Sequence, residues 1–511
     1  MKLALCEQMR KLDKAAIEQY KIPGIVLMEN AAISIFNICK TLDAYKRKNV
    51  LIFCGTGNNG GDGFAIARHM RDDGASVSIV IVGEEGKIRG DALINYKICK
   101  NLGIDIEIFS GVKALKRKPE NCELVIDAML GTGVSGKLMA PIPDVIKIIN
   151  ESGKYILAVD CPTGGNADTG QINAECVRAD MTVTLGLLKP GLLLYPLANY
   201  AGRVELGDIG AKAVFDNFKA THFSLNRQSA ARLLPERNAY SHKGSYGKAA
   251  IVAGSGNMAG AAAYCAKAAY ATGCGYVNIC APEGIIDTLQ ILAPQAITTP
   301  MPQRDGHLSG FSALIALGTI NNYTTCLIGP GLGNNEETAE FVKEVIRNAT
   351  VPLVIDADAL NVIATEPKIL KAAAFPPIIT PHMLEMSRLT GIAVPQIQSD
   401  LQKTAMDFSK KYNCVTVLKD AVTVIACPGG ATFINKGGVS ALAKAGSGDV
   451  LAGIITALAG HGLASVEAAA LGAYIHTQSG IAASHKFGDY SVSSEDIIGC
   501  IHVAIKELFD I

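Results

Sequence analysis

The sequence predicts an α/β protein of two domains, and three observations carry that reading. Short, continuously apolar, β-rich runs alternate with amphipathic segments through both halves of the chain. Runs that are apolar at every residue, rather than at alternate ones, belong to parallel sheets covered on both faces, which gives a doubly wound layout. At 511 residues the chain exceeds what one core holds, so about two to four domains are expected. Third, the composition shifts between about Gly210 and Tyr246. There Asp216-Asn217, Asn226-Arg227-Gln228, Pro235-Glu236-Arg237-Asn238 and Ser241-His242-Lys243-Gly244 crowd polar and turn-forming residues. The boundary falls in this stretch, giving domains of residues 1–218 and 219–511.

In the first domain the expected strands are Val50-Phe53, Val77-Val82, Ile104-Ile108, Leu124-Ile126, Ile156-Val159, Met181-Leu185 and Val204-Leu206. In the second they are Ala249-Ala253, Val277-Cys280, Cys326-Gly329, Leu353-Asp356, Ile378-Thr380, Val415-Leu418 and Val422-Ala426. Lys and Arg together equal Asp and Glu, 47 of each, which leaves no polyanion-binding surface and argues against nucleic acid as a partner. The fourteen cysteines are scattered without a C-x-x-C pair, as buried free thiols of a reducing cytoplasm would be. The apolar run of Met1 to Cys6 is too short for a signal peptide. The longest apolar stretch, Val450 to Ala483, is interrupted by His461, Glu467 and His476, so no membrane span is expected.

The first strand runs into Gly55-Thr56-Gly57-Asn58-Asn59-Gly60, a G-x-G-x-x-G ahead of a helix expected over Asp62–Arg71. Glu84 and Glu85 end the next strand near the spacing of a ribose-binding acid. A plain dinucleotide site fits poorly, because Asn58, Asn59 and Asp62 crowd the place of the pyrophosphate, and a carboxylate there costs binding unless a cation offsets it. Asp62 is therefore a cation ligand, a base or a residue of the helix start.

A second loop, Gly131-Thr132-Gly133-Val134-Ser135-Gly136-Lys137, follows the strand that ends in Asp127. It nearly matches a Walker A loop, but Leu138 stands where the magnesium-binding hydroxyl belongs, so the NTPase reading fails. A third strand end supplies Asp160 and Thr163. Asn59, Asp127, Asp160 and Thr163 would thus meet at the carboxyl edge of one sheet, where open α/β folds bind ligands. Oxygen donors of this kind suit a hard cation.

The order N-N-G-G-D-G, D-A-M-L-G-T-G, V-D-C-P-T-G and A-D-T-G, with the opening Glu7-Gln8-Met9-Arg10 and Leu27-Met28-Glu29-Asn30-Ala31, resembles the NAD(P)H-hydrate epimerase family over residues 1 to 215. The resemblance implies a Rossmann-like domain with K+ held by Asn59, Asp127 and Thr163. It implies a hydrated nicotinamide substrate (NADHX or NADPHX) contacted by Asn58, Asn59, Gly60, Gly61 and Asp62 and by Gly131, Thr132, Gly133, Val134, Ser135, Gly136 and Lys137. It puts Asp160 at the reacting carbon. The family usually has Ser at position 163 and a larger apolar residue at Gly165.

Near the C-terminus, Gly446-Ser447-Gly448-Asp449 precedes the apolar helix pattern from Val450. Glycines before a helix leave N–H groups for an anion, and Asp449 lies within reach of an attacking hydroxyl, which are the parts phosphoryl transfer needs. Lys419 and Thr423 offer a cation and a hydroxyl to phosphates. Gly329-Pro330-Gly331-Leu332-Gly333 and Asp356-Ala357-Asp358 each follow a strand. His382, alone a surface or capping histidine, stands at another strand end and gains the part of a ligand contact.

G-P-G-L-G, D-A-D-A-L-N, T-P-H-x-x-E and A-G-S-G-D-V-L-A-G together resemble the ADP-dependent NAD(P)H-hydrate dehydratases of the ribokinase-like superfamily over residues 225 to 508. The resemblance implies an α/β/α domain in which Ala261, Gly331, Gly333, His382 and Asp449 contact the hydrate. Lys419, Asp420, Ala421, Val422, Thr423, Gly446, Ser447 and Gly448 would hold ADP or ATP with Mg2+, and Asp449 would be the catalytic base. Met383, Leu384 and Asp420 depart from the usual H-P-G-E and K-G.

A fusion of the two activities would interconvert R and S hydrates and dehydrate the S form to NAD(P)H, releasing AMP and phosphate when ADP is spent. The resemblance also implies a cytoplasmic homo-oligomer. Two rivals are a ribokinase-like small-molecule kinase with an accessory domain and a non-catalytic N-terminal scaffold, which would need no cation-binding carboxylates.

Overall fold

The computed structural model describes residues 1–115, 118–132 and 136–509. Two compact units divide the chain, Lys2–Thr221 and His222–Ile511, with Met1 counted with the second.

The first unit opens with a two-residue strand, β1 (Lys2–Leu3), and continues with β2 (Asn49–Cys54), β3 (Ser76–Ile81), β4 (Asp105–Ile108), β5 (Leu124–Ala128), β6 (Tyr155–Val159), β7 (Met181–Leu185) and β8 (Arg203–Gly207). Its sheet runs β4-β3-β2-β5-β6-β7-β8 with every pair parallel. The alternation of one strand shows why its sequence is apolar throughout. Val50, Ile52 and Cys54 join the core on one face, whereas Leu51 and Phe53 join the core on the other. Strand order reverses between β2 and β5, and a ligand crevice opens at such a point.

The helix after β2 spans Asn58–Asp72, so it starts four residues before the expected Asp62. Its glycines are there for close packing. A Cβ on Gly60 would lie 1.9 Å from the Gly55 carbonyl oxygen, and one on Gly63 would lie 2.7 Å from Cys54 Sγ. Asn58, Asn59, Gly60 and Gly61 therefore form the first helical turn, and Asp62 is its fifth residue.

The second unit contains β9 (His222–Phe223), β10 (Lys248–Val252), β11 (Tyr276–Pro282), β12 (Ile297–Met301), a small hairpin of β13 (Gln303–Arg304) and β14 (His307–Leu308), then β15 (Thr325–Ile328), β16 (Leu353–Ile355), β17 (Ile378–Ile379), β18 (Val415–Leu418), β19 (Val424–Ala426) and β20 (Thr432–Ile434). The main sheet runs β9-β20-β19-β18-β17-β16-β15-β10-β11-β12. It is parallel from β12 to β18 and antiparallel across β18, β19 and β20. The expected strand Val422–Ala426 shortens to β19 because Leu418 pairs with Val424, which makes Lys419–Thr423 the connecting loop.

Helices Ala259–Ala271, Ser447–Gly460, Ser465–Phe487 and Ser494–Phe509 share one core with Ala249, Ile251, Leu327 and Val354 of the sheet. A Cβ on Gly453 would stand 2.4 Å from the Cys265 carbonyl oxygen, so the first two of these helices pack almost backbone to backbone. All fourteen cysteines are unpaired, and thirteen are buried; Cys427, just beyond β19, is half-buried. No described helix is long and apolar enough to cross a membrane.

Candidate active sites

In the first unit a cavity of about 1260 Å³ opens over the β2 and β5 ends, and Asn58, Asn59, Asp62, Gly131, Thr132 and Asp160 all line it. Gly60 and Gly61 lie buried in the helix below. Gly136 and Lys137 are exposed and are not among the lining residues. Gly133, Val134 and Ser135 lie outside the described residues.

Asp127 is the penultimate residue of β5 and is fully buried. Its Oδ2 accepts from the Thr163 backbone N–H at 2.8 Å, and its Oδ1 accepts from the Thr163 hydroxyl at 2.7 Å and from the Met129 N–H at 3.2 Å. Burial pushes its pKa up to about 6 against these bonds. The Thr163 oxygen in turn accepts from the Leu130 N–H at 3.1 Å. The Asn59 Oδ1 lies 2.9 Å from where a Cβ on Gly131 would sit, and its buried Nδ2 has no hydrogen-bond partner. Carboxylate, hydroxyl and amide oxygens are thus gathered around two loop starts, an all-oxygen set suited to a hard cation.

Asp160 follows β6 with φ +65, a left-handed conformation that aspartate adopts more readily than most non-glycine residues. Its Oδ1 accepts from Lys189 Nζ at 2.6 Å, from the Leu185 N–H at 3.1 Å and from the Thr184 hydroxyl at 3.2 Å. Among the described residues, its Oδ2 accepts only from the Thr132 hydroxyl, at 3.1 Å. Burial raises the pKa of this carboxyl, but Lys189 and the hydrogen bonds outweigh burial and hold it below the usual carboxylate range. Asp160 is thus a fixed carboxylate favoured in its ionised form, with a single described hydrogen bond on Oδ2.

Lys189 is a cavity-lining partner of Asp160 that the sequence reading missed. Its side chain is 2% exposed, and its ammonium donates to Asp160, to Thr184 Oγ1 at 3.1 Å and to the Leu185 carbonyl at 2.7 Å. The signal was a lone lysine inside the apolar run Leu185-Gly186-Leu187-Leu188-Lys189-Pro190. Asp13, on the helix Cys6–Glu18, also lines the cavity, and burial lifts its pKa to about 6.

In the second unit the helix Ser447–Gly460 begins after Gly446, whose φ of +89 turns the chain into it. Lys419 donates to Asp356 Oδ1 at 3.0 Å and lies 3.4 Å from the point a Cβ on Gly448 would occupy. Burial disfavours the ammonium, but Asp356 and Glu385 overcome that and raise its pKa. Asp449, in the first turn of the helix, has its pKa pushed up to about 7 by burial and by Asp356. A carboxyl with a raised pKa and a buried cation therefore share one helix start.

Gly331, at φ +68, sits against Ala261, 3.2 Å from its Cβ to the point its own would fill. The Gly333 N–H donates to Asp358 Oδ2 at 2.9 Å, and a Cβ on Gly333 would strike the His307 ring at 2.5 Å. His382 caps the helix Met383–Thr390, its Nδ1 accepting from the N–H groups of Leu384 and Glu385. That leaves its Nε2 side 3.4 Å from buried Glu385, whose pKa burial pushes up to about 7. In the β18–β19 loop, Asp420 and Ala421 are exposed, Val422 is buried and the Thr423 carbonyl accepts from the Asn435 N–H at 3.0 Å. Ser447 Oγ meets His476 Nε2 at 3.1 Å, a buried pairing that sequence reading also missed.

The comparisons agree with this division. A family model described as NAD(P)H-hydrate dehydratase matches residues 249–502, and one described as YjeF-related protein N-terminus matches residues 24–191. The bifunctional NAD(P)H-hydrate repair enzyme of Moorella thermoacetica is 38% identical over 518 residues, covering 99% of this chain and 97% of its own. This chain belongs to the bifunctional NAD(P)H-hydrate repair enzymes. The family's Escherichia coli K12 member is 30% identical over 97% of this chain and 92% of its own. Among solved structures, the Bacillus subtilis ADP/ATP-dependent NAD(P)H-hydrate dehydratase co-crystallised with ATP and Mg2+ is 29% identical, with a TM-score of 0.48, covering 56% of this chain and 98% of its own.

Proposed function

We propose that residues 1–218 interconvert the R and S hydrates of NADH and NADPH, and that residues 219–511 dehydrate the S form at the expense of ADP or ATP. The observation that carries this reading is the working carboxyl in each unit: Asp160 held ionised in a cavity of cofactor size, and Asp449 poised near neutrality at an anion-binding helix start. A cytoplasmic homo-oligomer belongs to the same proposal, on the resemblance.

In the first unit Asn59, Asp127 and Thr163 would hold potassium. Their oxygen chemistry and the orphaned Asn59 amide, whose two ends are interchangeable by assignment, fit such an ion. The ion would supply positive charge that offsets the site's carboxylates and the substrate's pyrophosphate. Asp160 takes the proton of the hydroxyl on carbon six through Oδ2. The C6–N1 bond then opens to an aldehyde and recloses on the other face of the carbon.

In the second unit Mg2+ would offset phosphate charge. Lys419 and the N–H groups of Gly448 and Asp449 hold the transferred group, and Asp449 takes the hydroxyl proton as that oxygen attacks the terminal phosphorus. The phosphorylated oxygen then leaves as phosphate and a proton is lost from carbon five, which restores the ring double bond. Ala261, Gly331, Gly333 and His382 border the hydrate, and Asp420 to Thr423 the nucleotide.

The test supplies mixed epimers with ADP and magnesium and follows recovery of the reduced cofactor's near-ultraviolet absorbance. Asp449→Asn repairing as fast as wild type would remove the proposed base. Asp160→Asn should consume only the directly usable epimer; full consumption of both at wild-type speed would end the N-terminal assignment. Stable phosphorylated product would point instead to a small-molecule kinase.

A further inference from the structure

Asp62 is the one acidic side chain in the first cavity that is more than nine-tenths buried, at 8% exposure, and has no hydrogen-bond partner among the described residues. It projects from the Asn58–Asp72 helix into the space bordered by Asp160 and Lys189. A buried carboxyl without a donor or a cation of its own costs several kcal/mol to ionise, on the order of what burial does to isolated carboxylates. The charged and titratable groups lining the same cavity are Arg10 and Asp13 on the helix Cys6–Glu18, Glu84, Glu85 and Lys87 after β3, Asp91 on the helix Gly90–Asn101, and the Asp160–Lys189 pair, with the Cys54 thiol at the end of β2 also within electrostatic reach of Asp62. Lys189 is already committed to Asp160, and Asp127 to Thr163.

We propose that Asp62 is the proton donor of the epimerase site, working opposite the Asp160 carboxylate. The inference rests on the epimerase reading above and assigns the half of its chemistry that Asp160 leaves open. When Asp160 accepts the proton from the C6 hydroxyl, the oxygen pair forms the aldehyde C=O. The C6–N1 bond breaks with its pair on N1, and Asp62 delivers its proton to that nitrogen. After rotation about the C5–C6 bond, N1 attacks the other face of the carbonyl, its proton returns to Asp62, and Asp160 gives its proton to the oxygen. Both carboxyls end as they began, with no net consumption of acid or base. Two carboxyls kept in opposite states by different surroundings are a general sign of an acid–base pair. Here the difference is that Lys189 serves only one of them. Burial first, and then the negative charges of Asp160 and Asp13, raise the pKa of Asp62 well above the usual carboxylate range, against the pull of Lys189.

The experiment uses the full-length enzyme and purified R hydrate, reading epimerisation by chromatography without nucleotide across a pH series. Wild type, Asp160→Asn and Asp62→Asn are compared for rate, hydrate binding and melting. Asp62→Asn preserves shape, so binding and melting should match wild type while the rate drops by about 100-fold or more, the usual worth of general acid catalysis. Wild-type rate should fall at high pH as Asp62 ionises, and that limb should vanish in Asp62→Asn. A wild-type rate in Asp62→Asn, or an unchanged high-pH limb, overturns the proposal while Asp160→Asn remains inactive. A lost rate with lost hydrate binding makes Asp62 a binding group and overturns it too. If wild type itself does not epimerise, the function reading fails, which is a separate result.

Discussion

Replacing Lys189 with Met should disable the first site by changing the state of Asp160. The Lys189 side chain is 2% exposed and that of Asp160 13%, so both charges are largely withdrawn from water. Deleting one member of such a buried pair costs about 3–5 kcal/mol. For a unit of this size each kcal/mol lowers a melting point by about 2–4 °C, so the first unit's transition should fall by roughly 6–20 °C. The sign in pH follows from the direction of the shift. Asp160 is held below the ordinary carboxylate range, so in wild type its stabilisation is present above that range and is lost as pH falls through the depressed value. Without Lys189, burial dominates and the carboxyl rises instead, so the variant is worst off at neutral pH and recovers relative to wild type in acid. Epimerisation needs the carboxylate, so its low-pH limb should move upward in Lys189→Met. Differential scanning fluorimetry and an epimerisation pH profile check both. A lower melting point with an unmoved low-pH limb would show that Lys189 only holds the fold.

Asp449→Asn should reduce dehydration by about 100- to 10,000-fold, the range of a lost general base, with nucleotide binding by calorimetry retained. In wild type, dehydration kcat/KM should fall as pH drops through about 7, because the base must be ionised and its pKa is raised to there. Thr163→Val removes the hydroxyl that donates to Asp127 Oδ1; epimerisation should lose its dependence on added potassium and most of its rate, checked by exchanging potassium for choline. Gly60→Ala would drive a Cβ to 1.9 Å from the Gly55 carbonyl oxygen, so the epimerase should unfold on heating well before wild type while dehydratase activity at low temperature persists.

The strands that were legible in the sequence are those buried on both faces, such as β2 and β5, whose continuous apolar runs have no amphipathic alternative. β12, with Thr298, Thr299 and Pro300 at the sheet margin, and the two- and three-residue strands β9 and β20 carry too little apolar sequence to announce themselves. The same limit applied to the sites. Asp127, Asp160 and Asp449 follow strands or open a helix next to telling glycines, and local sequence exposes them. Lys189 reaches Asp160 across 29 positions, and nothing near either residue records that meeting. The Asn58 helix start was hidden for the opposite reason: Gly60 and Gly61 look like loop residues, and only the carbonyl and methionine they press against explain them as helix.

The distribution of thiols has a practical consequence. With thirteen cysteines buried and Cys427 alone half-buried, a maleimide dye applied to the native enzyme should attach at one place, in the turn beyond β19. That single label would report on the β19–β20 turn, at the opposite end of the β18–β19 pair from Lys419 and Asp420, without any cysteine having to be removed first. Stoichiometry above one dye per chain would then mark the onset of unfolding, making the enzyme's own sulfur a gauge of its integrity.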